Sequence, residues 1–319
     1  MTERPRGLHH VTAIAGNPQI NRDFYEGILG LRMVKKTVNF DDPGTYHLYY
    51  GDAAGSPGTI MTFFPWAFPG APKGNPGHGQ VTVTSFAVPE DSLDYWSERL
   101  SRHDVQHRGI GTRFGNRILE LHDPDGFKLE LVGSGGLNGE IWDGSPVPAE
   151  HQLRSFDGVT LSERSRERTE SLLTDTLGFR AIGEDDGRYR FEAGEGGAGN
   201  RVDILDDPRE PVGRMGVGAV HHVAFRVPDE DTHRELREEI AALGYHVTPV
   251  VDRQYFRSIY FREPGGVLFE IATDPPGFAI DEDFSELGSS LKLPSQHEPR
   301  RAELEATLPA LEVPAEVSR

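Results

Sequence analysis

Two repeated pieces and one acid are the residues in this chain whose types and spacing could do chemistry. His9-His10-Val11 and His221-His222-Val223 recur near opposite ends of the sequence, and Glu270 interrupts the apolar run Val267-Leu268-Phe269-Glu270-Ile271-Ala272. A carboxylate inside such a run is expected to be buried, where it needs a cation or a full set of donors. Strand alternation puts Glu270 on a face with Leu268 and Ala272, His10 with Thr12, and His222 with Ala224. If the three strands meet, two neutral imidazoles and one carboxylate form the set that holds non-heme Fe(II) on one side and leaves three positions open; Mn(II) could occupy the same set. The same alternation sends His9 and His221 to the opposite face, where His221 reads as structural and His9 as either packing or a neighbour of the metal. Glu270 has a competing use as the partner of Arg253, Arg257 or Arg262, and its alignment with two histidine strands favours the metal. Glu130 is the rival ligand, but Lys128 shares its face and suggests solvent. Asp203 reads as surface.

The elements that must position these residues form an internal repeat. A strand at 7–14, a helix at 21–29, a Leu29-Gly30-Leu31 stop and strands near 32–38, 46–50 and 59–64 make one βαβββ module. A second opens at Val81, with its helix over 92–100, and closes with strands on either side of Asp123-Pro124-Asp125-Gly126. The third opens near Leu153, with a charged helix over 165–177. The fourth opens at Gly218, with a helix over 231–243, and closes on two strands joined by Glu263-Pro264-Gly265-Gly266. Only the first and fourth modules open with His-His-Val, so the second and third read as scaffold. The fold class is therefore α+β, with an N-terminal domain of modules 1 and 2 over 1–145, a C-terminal domain of modules 3 and 4 over 146–280, and an extension over 281–319 in which 300–308 predicts a short helix.

Bulk properties narrow the function. The 319 residues carry a net charge of −18, which argues against nucleic acid or an anionic membrane as partner. No apolar run approaches a membrane span, and the start Met1-Thr2-Glu3-Arg4-Pro5-Arg6-Gly7 has no apolar signal core, so the expected location is the cytoplasm. The absence of cysteine removes thiolate metal sites, iron–sulfur clusters and thiol nucleophiles, leaving histidine and carboxylate to hold any metal.

The sequence resembles the vicinal oxygen chelate superfamily, and within it the ring-cleaving dioxygenases that open hydroquinones, such as 2,6-dichlorohydroquinone 1,2-dioxygenase. The matching segments are Gly7-Leu8-His9-His10-Val11-Thr12, Asp23-Phe24-Tyr25 through Leu29-Gly30-Leu31, Val38-Asn39-Phe40-Asp41-Asp42-Pro43, His221-His222-Val223-Ala224-Phe225, and Tyr260 through Thr273. The resemblance implies the vicinal oxygen chelate fold, two cupped mixed-sheet halves, and a homo-oligomer. It implies Fe(II) on His10, His222 and Glu270, with His9, Thr12, Arg253 and Tyr260 as the catalytic residues around the metal, and an aromatic diol and O2 as reactants. Tyr260 and His9 would hydrogen-bond or move protons at substrate oxygens, Arg253 would stabilise developing negative charge, and Thr12 would orient a ligand. Two alternatives share the fold: a glyoxalase-type isomerase and a metal-free binding protein. The first usually draws a fourth protein ligand, and its place in module 1, Ile60-Met61-Thr62-Phe63, offers no carboxylate.

Overall fold

A computed structural model of the chain describes residues 3–317. Sixteen strands occur in four sets of four. Module 1 supplies β1 (Leu8–Ala15), β2 (Arg32–Val38), β3 (Tyr46–Gly51) and β4 (Ile60–Pro65), and module 2 supplies β5 (Gln80–Pro89), β6 (Gly111–Arg113), β7 (Asn116–His122) and β8 (Lys128–Ser134). Module 3 supplies β9 (Ser155–Glu163), β10 (Arg180–Asp185), β11 (Arg188–Glu192) and β12 (Arg201–Asp206), and module 4 supplies β13 (Ala219–Val227), β14 (Val251–Asp252), β15 (Arg257–Arg262) and β16 (Leu268–Thr273).

These strands make two mixed sheets of eight. One runs β14-β15-β16-β13-β1-β4-β3-β2 and so joins modules 4 and 1; the other runs β10-β11-β12-β9-β5-β8-β7-β6 and joins modules 3 and 2. In each sheet the two opening strands pair antiparallel at the centre, and each then takes the closing strand of its own module in parallel. The sheets are the two curled halves that the resemblance implied.

Helices cover the sheets: α1 (Pro18–Arg22), α2 (Leu93–Arg102), α3 (Glu167–Ser171), α4 (Glu230–Ala242) and α5 (Arg301–Thr307). On α4 the apolar positions Leu236 and Ile240 are fully buried, each contributing roughly 1.5–3 kcal/mol of burial. The first and third helices are shorter than their periodicity suggests. Each passes after about one turn into a π-helix, Asp23–Ile28 and Leu172–Thr176, before its Leu-Gly stop. Gly30 there has φ +73°, a conformation other residues adopt only at a cost.

The extension beyond residue 280 packs on module 1. Lys35, fully buried, places its ammonium 2.6 Å from Asp281 and 2.5 Å from Glu282, Leu291 bridges to Lys36 of β2, and the Tyr46 hydroxyl donates to the Pro309 carbonyl at 2.8 Å. At a junction between the sheets, the Glu163 carboxyl occupies the space a side chain on Gly265 would fill, beside Glu263. No helix among the described residues is long and apolar enough to cross a membrane.

Candidate metal centre and its cavity

The register across β15, β16, β13, β1 and β4 lines up Tyr260, Glu270, Ala224, His10 and Ile60 in one row. Ala224 separates the acid from the imidazole. With no atom beyond Cβ, it lets their long side chains meet above it. The next row aligns Tyr49, Thr62, Thr12 and His222 on β3, β4, β1 and β13, so the second imidazole enters from two residues along β13. The structure thus brings His10, His222 and Glu270 together from three adjacent strands, all buried.

The three donor atoms are His10 Nε2, His222 Nε2 and Glu270 Oε2, with separations of 3.2 Å between the imidazoles and of 3.2 and 2.9 Å from Oε2 to His10 and His222. Donors about 2.1 Å from one ion stand about 3.0 Å apart when at right angles and about 3.4 Å apart in a tetrahedron, so the observed spacing suits one face of an octahedron. Despite these contacts, Glu270 Oε2 is buried and accepts no hydrogen bond of good geometry. Its other oxygen accepts from the Ser258 hydroxyl, which leaves Oε2 directed at the imidazoles. A buried, orphaned carboxylate oxygen facing two imidazole nitrogens is the arrangement a cation completes, and the donor set fits divalent iron or manganese. Among the described residues this is the one cluster of three such donors. Among the described residues no arginine hydrogen-bonds to or pairs with Glu270, so the ion-pair reading of that residue is set aside.

The histidines preceding the two imidazoles correct the alternation argument. In the β1–β13 ladder Leu8 pairs with Phe225 and His10 with Ala224, skipping His9; Thr12 pairs with His222 and Ala13 with Val220, skipping His221. Each is the extra residue of a β-bulge, which turns its side chain toward its neighbour. His9 Nδ1 lies 2.9 Å from His10 Nδ1, and His221 Nδ1 lies 2.7 Å from His222 Nδ1. For the Nε2 atoms of His10 and His222 to be lone-pair donors, their protons must sit on Nδ1, where His9 and His221 accept them. Burial favours these neutral forms. It is the first cause lowering His9, His222 and His221, the last to about 3, with the adjacent imidazole next for His9 and His221. Burial works to raise Glu270, but the facing imidazoles, when they carry protons in place of a cation, outweigh it and hold the carboxyl well below the usual range.

A cavity of about 260 Å³ opens over the donors. Phe40, Phe64, Trp66, Phe256 and Leu268 give it an apolar lining, and Phe256 packs on both His9 and His10. Of the aromatics close to these in sequence, Phe63 and Tyr255 are core, and Phe68 is 53% exposed. Arg253 and Tyr260 stand on one wall. Arg253 Nε donates to the Tyr260 hydroxyl at 3.1 Å, and its Nη1 reaches Asp41 Oδ2 at 3.1 Å. Burial raises the Tyr260 phenol above its ordinary range, keeping it a neutral donor. Thr12 is fully buried behind the lining, with its hydroxyl 2.8 Å from that of Thr62. Sequence reasoning missed His47, Tyr49 and Ser258. The first two line the cavity, and Ser258 holds Glu270. Their signal was alternation in β3 and β15, which puts His47 with Tyr49 and Ser258 with Tyr260 on the concave face.

The second sheet repeats the frame without the chemistry. Its corresponding row is Glu120, Glu130, Ser85, Gly158 and Arg201, and the next includes Val83, Thr160, Asp203 and Arg190. Glu130 stands in the place of Glu270, while Gly158 and Val83 replace the imidazoles. Glu130 is buried rather than solvated: Arg188 Nη2 donates to its Oε1 at 2.8 Å, Arg113 reaches the same oxygen, and Ser85 donates to Oε2 at 2.9 Å. Asp203 is likewise buried, held by Arg190 through bonds of 2.8 and 2.9 Å. Guanidinium groups fill this cup.

The chain belongs to the glyoxalase/bleomycin resistance protein/dioxygenase superfamily, whose profile matches residues 7–131 and 156–271. A protein of Bacillus subtilis (strain 168) named "Putative ring-cleaving dioxygenase MhqO" is 46% identical over 98% of this chain and 99% of its own length. The chlorohydroquinone/hydroquinone 1,2-dioxygenase of Sphingobium indicum (strain DSM 16413 / CCM 7287 / MTCC 6362 / UT26 / NBRC 101211 / UT26S) is 37% identical over 97% of each chain. A glyoxalase I variant from Zea mays shares the fold at a TM-score of 0.64 and 16% identity, covering 84% of this chain and 92% of its own. With relatives of 37–46% identity along nearly the whole chain named ring-cleaving dioxygenases, the chain is an enzyme of that kind.

Proposed function

We propose that the enzyme holds Fe(II), with Mn(II) as the alternative ion, through His10 Nε2, His222 Nε2 and Glu270 Oε2, and opens the ring of a hydroquinone-type aromatic diol with O2. The observation that carries this reading is the orphaned Glu270 oxygen, 2.9 and 3.2 Å from two imidazole nitrogens at the floor of an aromatic cavity. The cavity volume, about 260 Å³, is near the lower limit of roughly 300 Å³ for ligand pockets, which favours a single ring. The hydroquinone preference also draws on the relative named for that substrate.

When bound, the ion would supply the electron-relaying chemistry that lets a diol react with O2. The chain's own residues do the rest. Phe40, Phe64, Trp66 and Phe256 take the ring and exclude water. A para-diol can offer an ion only one of its oxygens, so other groups must hold the ring. Tyr260, whose oxygen already accepts from Arg253, keeps its proton for a substrate oxygen, and the Arg253 charge stabilises anionic oxygen on that wall. His9 keeps the His10 tautomer fixed, and Thr12, behind the lining and bonded to Thr62, acts on a bound ligand only through the residues in front of it. A glyoxalase reading needs a fourth acid on β4, where Thr62 stands against Thr12.

The deciding experiment loads the metal-free protein anaerobically with Fe(II) or Mn(II) and follows oxygen uptake with hydroquinone, catechol and a thiol hemiacetal. Oxygen consumption with hydroquinone, lost in His222→Ala, is expected. Isomerisation of the hemiacetal with no uptake on either diol would overturn the reading.

A further inference from the structure

The sheet that holds the three donors begins at β14 and ends at β2, and its curl brings these two edges together. Lys35 of β2 lies over the ring of Tyr255, which follows β14, with its ammonium 4.9 Å from the ring centre. Asp281, where the C-terminal extension begins, bridges the two edges. The buried Lys35 ammonium aims its three N–H donors at the Phe278 carbonyl (3.1 Å), Asp281 Oδ1 (2.6 Å) and Glu282 Oε2 (2.5 Å). Asp281 Oδ2 accepts from Gln254 Nε2 at 2.8 Å and from the Tyr255 hydroxyl at 3.0 Å. Burial, and then the Asp281 charge, raise the Tyr255 phenol far above its ordinary range, so the hydroxyl is the donor.

Gln254 and Tyr255 are the middle of the four-residue turn, 253–256, that joins β14 to β15, and its outer members Arg253 and Phe256 both line the cavity. The turn needs outside support. Gln254 has φ +68°, a left-handed conformation costly for any residue with a Cβ. The Gly277 N–H fixes the Tyr255 carbonyl at 2.9 Å, which leaves Gln254 to Asp281 and to Asp252, an exposed carboxylate 2.8 Å from the Gln254 N–H. On the cavity side Arg253 is held by the Tyr260 hydroxyl and by Asp41, whose side chain is 77% exposed and whose ion pair is therefore weak. Without Asp281, Gln254 can leave the left-handed region, and the Arg253 side chain then turns away from Tyr260.

We infer that Asp281 is a positioning residue: by pinning Gln254 and Tyr255 to Lys35 it holds Arg253 against Tyr260 in the cavity wall. The extension thereby completes a site whose other walls come from modules 1 and 4. What Arg253 does there rests on the dioxygenase reading above; where Arg253 stands does not.

Two measurements test it. In metal-free protein labelled with ¹⁵N-arginine, the Nε–H that Arg253 gives to Tyr260 should exchange slowly with water, its resonance identified by its absence from Arg253→Lys. Asp281→Ala should speed that exchange on the order of tenfold. Gln254→Ala, which leaves Lys35 paired with Asp281 and so keeps the fold, should show the same loss, and Gln254→Gly, free of left-handed strain, a smaller one. An unprotected Nε–H in the wild type, or wild-type protection in Gln254→Ala, would overturn the inference. In Fe(II)-loaded protein, Asp281→Ala should lower kcat/KM for oxygen uptake with hydroquinone on the order of tenfold at unchanged metal affinity, as misplacing a group beside the reacting centre does. That loss should vanish when Arg253 is already lysine; the same loss in both backgrounds would overturn the inference. A wild-type enzyme that consumes no oxygen with hydroquinone would refute the substrate reading alone, and the arginine resonance would still decide the role of Asp281.

Discussion

Replacing Ser258 by alanine tests the metal centre through a residue that is itself no ligand. Ser258 is fully buried on β15, and its hydroxyl donates to Glu270 Oε1, leaving Oε2 to face the imidazoles. A hydrogen bond to a charged group contributes about 1.5–3 kcal/mol, which would translate at most into a factor of about 10–150 in affinity. The metal-free protein loses the same bond, so only the orienting share of that energy reaches the ion. Metal affinity should therefore fall about tenfold, the lower end for partners behind a ligand, and the remainder should appear as about 1–2 kcal/mol lower stability of the metal-free protein. Competition with a chromophoric chelator under nitrogen, for Fe(II) and Mn(II), measures the first quantity, and urea unfolding measures the second. If Ser258→Ala keeps the wild-type affinity and Glu270→Gln keeps it as well, Glu270 is no ligand and the reasoning fails.

Three further outcomes are expected. Ala224→Leu should abolish metal loading in a protein that still folds, because the new side chain enters the row between Glu270 and His10; metal analysis beside circular dichroism checks it. Glu163→Gln should remove a pH dependence of stability: burial and then the Glu263 carboxylate push Glu163 from 4.5 up to about 9. The proton is bound in the folded state and absent from the unfolded one between those values, so the stability it contributes is complete below pH 4.5 and is lost progressively as pH rises toward 9. Unfolding across that window should show a slope of up to about 1.4 kcal/mol per pH unit in the wild type that the glutamine lacks, and equal slopes would count against a raised Glu163 carboxyl. Arg188→Ala should cost about 3 kcal/mol by leaving buried Glu130 with Arg113 as its one cation and the Ser85 hydroxyl, without changing metal affinity; adding Glu130→Leu should recover part of it.

The four modules and the three converging donors were legible because period-two alternation and a repeated His-His-Val survive in the sequence. His9 and His221 were misplaced because a bulge adds one residue to a ladder and reverses the face of what it touches, with no mark in composition. Glu130 and Asp203 were read as solvated because their cations, Arg188 and Arg190, lie on another strand, for Glu130 one of a different module. Sequence distance hid these partners. His47 went unnoticed for a related reason: a lone histidine in a strand says nothing until the register sets Thr62 and Thr12 beside it.

The guanidinium that occupies the second cup has a consequence for the order of assembly. Small zinc domains stay unfolded until their ion arrives, because no other positive charge balances their ligands. Here one half of the molecule carries its counter-charge covalently, in Arg188, and is electrostatically complete as soon as the chain collapses. That half can serve as a template for the other, so scarcity of the metal would idle the catalyst without sending it to the proteases.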